Sequence, residues 1–159
     1  MTVRQLAWFA CAVVIGGLAG CVCDSSGRGA DGDCDTMQPV AIHYLEIVTP
    51  EVDATCAALA AVHGVEFGGP VVELGNARTA MLTGGGRIGV RAPMRETEAP
   101  VVRPYVRVRD IAAAARAAES AGGQIALPPT EIPGQGTIVI YIMGGIEHGL
   151  WQPIEAGGE

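Results

Sequence analysis

The sequence contains no lysine, and its ten basic residues are all arginine. Aspartate and glutamate together number 17, which gives a formal net charge of −7 at pH 7. Proteins that bind nucleic acid neutralise its phosphates with a basic surface, so this excess of acidic residues argues against a nucleic-acid partner. Aromatic residues make up only 4% of the chain, yet 49% of it is hydrophobic, with 23 glycines and 10 prolines. This composition excludes a wholly disordered chain and favours short strands joined by turns.

Long apolar runs are scarce, and the clearest one lies at the N-terminus. The stretch from Leu6 to Ala19 carries no charge, but it is shorter than the roughly 20 residues that a membrane helix needs. Residues 1–20 are therefore predicted to be a secretory signal peptide. The end of this segment, Leu18-Ala19-Gly20-Cys21, resembles the lipobox of bacterial lipoproteins.

That resemblance implies cleavage before Cys21, lipidation of Cys21 and attachment to the cell membrane or the outer membrane. Several acyl chains hold a protein firmly, because each buried methylene contributes about 0.8 kcal/mol. An ordinary signal peptide and an uncleaved anchor are the alternatives. All three predict an exported domain in the periplasm or the extracellular space.

Residues 21–39 are rich in glycine, serine and aspartate and are predicted to form a flexible acidic tether. Asp31, Asp33 and Asp35 match the opening of a calcium-binding EF-hand loop, but the glycine and glutamate that such a loop needs do not follow. We therefore interpret the three aspartates as part of a solvated linker.

Five cysteines are present, and whether they form disulfides depends on export of the chain. An oxidising compartment makes a disulfide between Cys23 and Cys34 the candidate pairing. Cys56 falls in a predicted helix, where a small buried thiol is expected.

An internal repeat organises residues 40–154. A shift of 59–60 residues aligns the turn residues of the two halves, which we assign to 40–93 and 101–154. The aligned pairs include Gly64 with Gly123, Pro70 with Pro129 and Gly75 with Gly134. Residues that fix backbone geometry recur in register, so two copies of one supersecondary unit are predicted.

Each copy is predicted to run strand, helix, strand, strand, strand. Thr49-Pro50 is expected to supply the N-cap and the first residue of the first helix, and Gly64 to end it. The predicted strands are 40–48, a short one near 65–67 or 71–74, 77–82, 87–91, 102–108, 124–127, 137–142 and 146–151, and the predicted helices are 51–63 and 111–121.

A duplicated βαβββ unit that opens with HYLEIVTPEVDA and closes with GGIEHGLWQP resembles the vicinal oxygen chelate superfamily. That superfamily includes glyoxalase I, bleomycin-resistance proteins and extradiol dioxygenases. The resemblance covers residues 40–154 and implies an α+β fold, in which two βαβββ modules form a curved mixed sheet around a central cavity with the helices on the convex side. It also implies a homodimer.

Side-chain alternation along the strands then predicts which residues face the cavity. His43 is expected to face the helix side. Glu46 and Arg107, on equivalent strands of the two modules, are expected to form an ion pair across the cavity, and Arg87 with Arg91 to bind a carboxylate or phosphate. The predicted inward residues and candidate ligand contacts are Tyr44, Glu46, Arg87, Arg91, Tyr105, Arg107, Glu147 and Trp151.

Metal-dependent members of the superfamily place ligands at four inward positions, which here hold Tyr44, Gly89, Tyr105 and Gly149. Glycine has no side chain and tyrosine is protonated at neutral pH, so none of the four is an ordinary ligand for a divalent metal. No cofactor is therefore favoured. The alternative is a displaced divalent metal site made of Glu46, Glu147 and His148.

Two functional hypotheses follow. In the first, a membrane-anchored, exported domain binds a small planar or anionic molecule without metal. In the second, it is a metal-dependent lyase or dioxygenase with an atypical ligand set, in which Glu46 is the candidate catalytic base. A third hypothesis is that the domain serves as a surface for a protein partner.

Overall fold

The computed structural model describes residues 40–154, which contain both sequence repeats. The predicted signal peptide, the tether, the lipidated Cys21 and the Cys23–Cys34 disulfide all fall outside the described residues. Within 40–154, no helix is both long enough and apolar enough to cross a membrane.

The order of elements is strand, helix, strand, strand, strand, twice, as the repeat predicts. A 3₁₀ turn, Val72–Leu74, follows the second strand. The strands are β1 (Ile42–Val48), β2 (Pro70–Val71), β3 (Ala77–Met81), β4 (Arg87–Arg91), β5 (Val101–Arg107), β6 (Gln124–Ile132), β7 (Gly136–Met143) and β8 (Ile146–Pro153), and the helices are α1 (Val52–His63) and α2 (Ile111–Ser120).

All eight strands form one mixed sheet in the order β2-β3-β4-β1-β5-β8-β7-β6. Within each module the first and last strands are parallel neighbours, β1 beside β4 and β5 beside β8. The modules join through β1 and β5, which run antiparallel with Tyr44 opposite Tyr105. The predicted α+β architecture of two βαβββ modules is confirmed.

The two helices begin differently, and the first differs from the prediction. Helix α1 starts at Val52 rather than Glu51, and the Thr49 hydroxyl accepts a hydrogen bond from the Glu51 N–H at 3.2 Å without occupying the N-cap. The helix ends at Gly64, whose φ of 64° suits a residue without a Cβ. Helix α2 has a side-chain cap, because the Asp110 carboxylate accepts a hydrogen bond from the Ala113 N–H at 2.9 Å.

The core of the second module lies between α2 and the sheet. Ile111 and Ala115 of the helix pack on Val139 and Leu150 of β7 and β8. Leu150 thus faces the helix, as alternation predicts, and its neighbour Trp151 faces the other side of the sheet. That other side carries the candidate site.

Strand β6 is longer than predicted, because the sequence analysis ended it at Leu127 before Pro128-Pro129. The structure continues it to Ile132, with irregular pairing to β7 between Ile125 and Thr130. Proline cannot donate a hydrogen bond to a neighbouring strand, but β6 is an edge strand and tolerates two prolines beside a bulge.

The cap of α2 gives a stability prediction. Replacing Asp110 with alanine leaves the Ala113 N–H without its side-chain partner, so we expect the free energy of unfolding to fall by about 1 kcal/mol. Glu51→Ala is the matched control, since Glu51 occupies the N-cap of α1 and makes no side-chain cap. We expect it to change stability by less than about 0.5 kcal/mol in urea denaturation. Equal losses in the two variants would contradict this account of the caps.

Candidate functional site

Three aromatic side chains form the centre of the inner side of the sheet. Tyr44 of β1, Tyr105 of β5 and Trp151 of β8 are at most 3% exposed, and we call them the aromatic cluster. Their ring centroids are 5.3 to 5.8 Å apart, and Trp151 meets both tyrosines edge to face. Such pairs contribute about 0.5–1.5 kcal/mol each beyond the area they bury. The Trp151 indole N–H also donates to the Gln135 carbonyl oxygen at 3.1 Å.

Each tyrosine of the cluster fits against a glycine on the parallel neighbouring strand. A Cβ at Gly89 would overlap the Tyr44 hydroxyl, and a Cβ at Gly149 would overlap the Tyr105 ring. The two glycines therefore leave room for the two tyrosines.

These four residues are the ones that the resemblance aligns with metal-ligand positions, and their side chains do not fit a divalent metal. The glycines offer no donor atom, and burial raises the pKa of both tyrosine hydroxyls well above the usual value of 10. A neutral, protonated phenol is a poor ligand for a divalent cation.

The alternative ligand set does not converge either. Glu46 and Glu147 both bind Arg103, while His148 lies on the other side of β8 and stacks on Tyr141 with ring centroids 5.1 Å apart. More generally, no three His, Cys, Asp or Glu side chains in the described part of the chain are grouped as a metal site.

Beside the aromatic cluster lies a buried ionic network centred on Glu46. The Glu46 side chain is 9% exposed and accepts a hydrogen bond from Arg91 Nε at 2.7 Å. Its other oxygen accepts from Arg103 Nη1 and from the Tyr105 hydroxyl, the latter at 3.2 Å. Buried charges persist when they are paired and hydrogen-bonded in this way.

Two outer carboxylates complete the network. Glu98, in the segment that connects the modules, accepts from Arg91 Nη2 at 2.6 Å and from Arg91 Nη1 at 2.9 Å, and these bonds lower the Glu98 pKa to about 2. Glu147 of β8 accepts from Arg103 Nε at 2.8 Å and from Arg103 Nη2. With Glu46 included, three carboxylates surround two guanidinium groups, so the network carries a formal charge of −1.

The predicted partner of Glu46 was wrong, and the register of the sheet gives the reason. Arg107 is exposed, and Arg103 takes the place expected for it. The antiparallel pairing of β1 and β5 is centred on Tyr44 and Tyr105, so equivalent residues of the two strands lie at opposite ends. Arg103 is directly across from Glu46. Arg103 was not among the predicted inward residues, although it lies two residues before Tyr105 and alternation would put both on one side of the strand.

The face of His43 was also predicted wrongly. The pairing of β1 with β5 shifts register between Ile42 and Tyr44, as a β-bulge does. As a result the His43 ring is 5.3 Å from the Trp151 ring, on the inner side of the sheet. A bulge of this kind has no clear signal in the sequence.

Seven of the eight predicted inward residues lie in or near the aromatic cluster or the network, and the eighth is the exposed Arg107. Five of them lie in or beside the network: Tyr105, Trp151, Glu46, Arg91 and Glu147. Tyr44 lies in the aromatic cluster next to it. Arg87 lies at the other end of the cluster, with its guanidinium carbon 5.5 Å from the Tyr44 ring centroid and 6.0 Å from that of Trp151. Arg87 and Arg91 consequently do not act together on one ligand.

A cavity of about 360 Å³, which we call the cleft, opens above the network. Its floor is Glu46, Arg91, Arg103 and Tyr105, with Trp151 beside them, and its walls are mostly aliphatic. The wall residues are Val72, Leu74, Met94, Leu127, Ile132, Ile138 and Ile140, with Glu73, Gly75 and Thr130 completing the lining. An apolar cavity with a few convergent polar groups is the usual form of a small-molecule site.

The two tyrosines of the cluster provide a matched pair of variants. The Tyr44 hydroxyl is buried and has no hydrogen-bond partner among the described residues, whereas the Tyr105 hydroxyl bonds Glu46. We expect Tyr44→Phe to leave the free energy of unfolding unchanged or higher, and Tyr105→Phe to lower it by about 1 kcal/mol. Chemical denaturation of both variants checks this, and a larger loss in Tyr44→Phe would contradict the arrangement.

Comparison with family models and with curated protein sequences gave no match. Solved structures do match. A methylmalonyl-CoA epimerase from Mycobacterium tuberculosis has a TM-score of 0.58 at 16% identity, over 70% of this chain and 86% of that one. A hypothetical protein from Bacillus halodurans C-125 has a TM-score of 0.60 at 10% identity, over 76% and 99%. A variant methylmalonyl-CoA epimerase from Streptomyces coelicolor has a TM-score of 0.54 at 20% identity, over 71% and 96%. The chain thus shares the fold of these proteins, and the fold expected from the resemblance to the vicinal oxygen chelate superfamily is confirmed.

Proposed function

We propose that residues 40–154 form a binding module, which takes up a small, planar, largely apolar molecule in the cleft. The observation that carries this proposal is that the walls of the cleft are aliphatic, while the charged groups of its floor already form ion pairs with one another. A volume of about 360 Å³ suits a molecule of one or two rings. The rings of Tyr105 and Trp151 at the base supply flat apolar contacts for such a molecule.

The ligand in this proposal is uncharged or cationic, which departs from the expectation of an anion. Arg91 and Arg103 each bind two carboxylates, so neither has a free cationic edge for a ligand acid. An acid entering the cleft would have to displace Glu46, Glu98 or Glu147. Separating one partner from a buried ion pair costs about 3–5 kcal/mol, and the network is already negative.

Glu46 in this proposal positions the arginines and does not act as a base. Both of its oxygens accept hydrogen bonds from buried guanidinium groups, and one also accepts from Tyr105. These bonds direct both oxygens at protein donors. These contacts support binding without a chemical step and argue against the catalytic role predicted for Glu46.

A matched series of naphthalene derivatives tests the cleft. We expect naphthalenemethanol and naphthalenemethylamine to bind, and naphthoic acid to bind at least about ten times more weakly, a difference of about 1.4 kcal/mol. Isothermal titration calorimetry of the purified protein measures all three affinities. Leu127→Asp, in the cleft wall, is expected to abolish binding of the alcohol by burying a charge under it.

Val62→Asp is the control for that variant, because it adds the same charge to the outer surface of α1, where Val62 is 74% exposed. It is expected to bind the alcohol as the unchanged protein does. Acid binding as tight as alcohol binding, or an unaffected Leu127→Asp variant, would count against the proposal.

We further propose that this module works outside the cytoplasm, at a membrane surface, through a lipid on Cys21. The support is the apolar run before Cys21, the small residues at positions 19 and 20, and the polar segment that follows. The homodimer implied by the resemblance and the absence of a nucleic-acid partner stay predictions.

Lipidation is tested by a single substitution. In a Gram-negative bacterium supplied with labelled palmitate, the unchanged protein is expected to take up label and sediment with membranes. Cys21→Ala is expected to lose the label and the membrane attachment, whereas Cys23→Ala, two residues away, should retain both. Equal labelling of all three proteins would refute anchoring through Cys21.

A further inference from the structure

A second cavity, of about 280 Å³, lies at the end of the aromatic cluster away from Glu46. Two tight turns contribute to its lining, one between β3 and β4 and one between β6 and β7. Its lining residues are His43, Met81, Gly85, Arg87, Gly134, Gln135, Pro153 and Ile154. None of these is acidic, which sets the second cavity apart from the cleft, whose lining includes Glu46 and Glu73.

Arg87 is held in place at this cavity without being neutralised. Its guanidinium lies over the Tyr44 and Trp151 rings, and its Nη2 donates to the Gln135 side-chain oxygen at 2.9 Å. That amide is the sole hydrogen-bond partner of the Arg87 side chain in the described part of the chain. Since a guanidinium has five N–H donors, most of its donors stay available to a ligand.

Two further basic groups accompany Arg87. The bulge in β1 turns His43 into the second cavity, and Arg107 lies close enough for its charge, with that of Arg87, to lower the His43 pKa. Burial lowers the His43 pKa more than either charge does. Arg107 is exposed, and no carboxylate of residues 40–154 forms an ion pair with Arg87 or Arg107.

We propose that the second cavity binds a small oxyanion, with Arg87 as its principal ligand, His43 as a neutral hydrogen-bond donor and the nearby Arg107 adding positive charge. Planar guanidinium groups are suited to bind carboxylate and phosphate oxygens through two parallel bonds. The aromatic rings fix the guanidinium beforehand, so little side-chain entropy is lost when the anion binds. This site is separate from the cleft and does not depend on the function proposed for it.

Inorganic phosphate and acetate are the probes, titrated calorimetrically into the purified protein at constant ionic strength. We expect saturable binding of at least one anion, which Arg87→Gln reduces at least about tenfold, since a charge-assisted hydrogen bond contributes about 1.5–3 kcal/mol. Arg107→Gln should weaken anion binding about threefold or more. Because Arg107 is exposed, this variant is expected to fold and so tests the proposal even if Arg87→Gln misfolds. Arg116→Gln is the control, since it removes the same charge from the exposed face of α2.

A second readout follows the His43 imidazole by NMR, with His43→Gln to assign its resonance among the three histidines. A bound anion offsets the charges of Arg87 and Arg107, so phosphate or acetate at saturation should raise the His43 pKa. Failure of both anions to saturate, or equal losses in Arg87→Gln and Arg116→Gln, would overturn the proposal. Loss of anion binding in Arg87→Gln with naphthalenemethanol binding retained would show that the two sites are independent.

Discussion

The inner side of this sheet depends on one buried carboxylate. Glu46 accepts hydrogen bonds from Arg91 of its own module and from Arg103 of the other, so it joins β4, β1 and β5 across the module boundary. Glu98 and Glu147 close the network from outside. Desolvating two arginines is costly, and only this complete set of partners makes it tolerable. The same pairing leaves the cleft floor without a free cation, and for this reason the ligand proposed for the cleft is not an acid.

Beside that network, the aromatic cluster is closely packed, because each of its tyrosines lies against a glycine on the neighbouring strand. In both modules a tyrosine on the first strand occupies the space that a side chain on the last strand would need, and that last-strand residue is glycine. The change is reciprocal, since a larger residue at Gly89 or Gly149 would expel its tyrosine. Each module thereby places one buried tyrosine ring in the aromatic cluster.

How far the sequence could predict this arrangement depends on what each feature requires. The repeat of turn glycines and prolines was sufficient for the fold, because it fixes the order of elements in both modules. Alternation was sufficient for the faces of Tyr44, Glu46 and Trp151. The sequence could not predict which residues of β1 and β5 lie opposite each other, since the register of these two strands is set by long-range contacts. That is why Arg107 was predicted where Arg103 lies, and why the bulge at His43 was missed.

The aromatic cluster also separates two electrostatic environments on one face of the sheet. On one side of the rings, three carboxylates surround two arginines. On the other, Arg87 lies against Tyr44 and Trp151 without a carboxylate partner among the described residues. Aromatic faces attract cations, so the rings hold Arg87 where an acidic partner would otherwise be needed. A cation positioned by rings keeps its charge available to a ligand, whereas one held by carboxylates does not. This difference is the physical reason for proposing an anion site at Arg87 and not at the buried pair, Arg91 and Arg103.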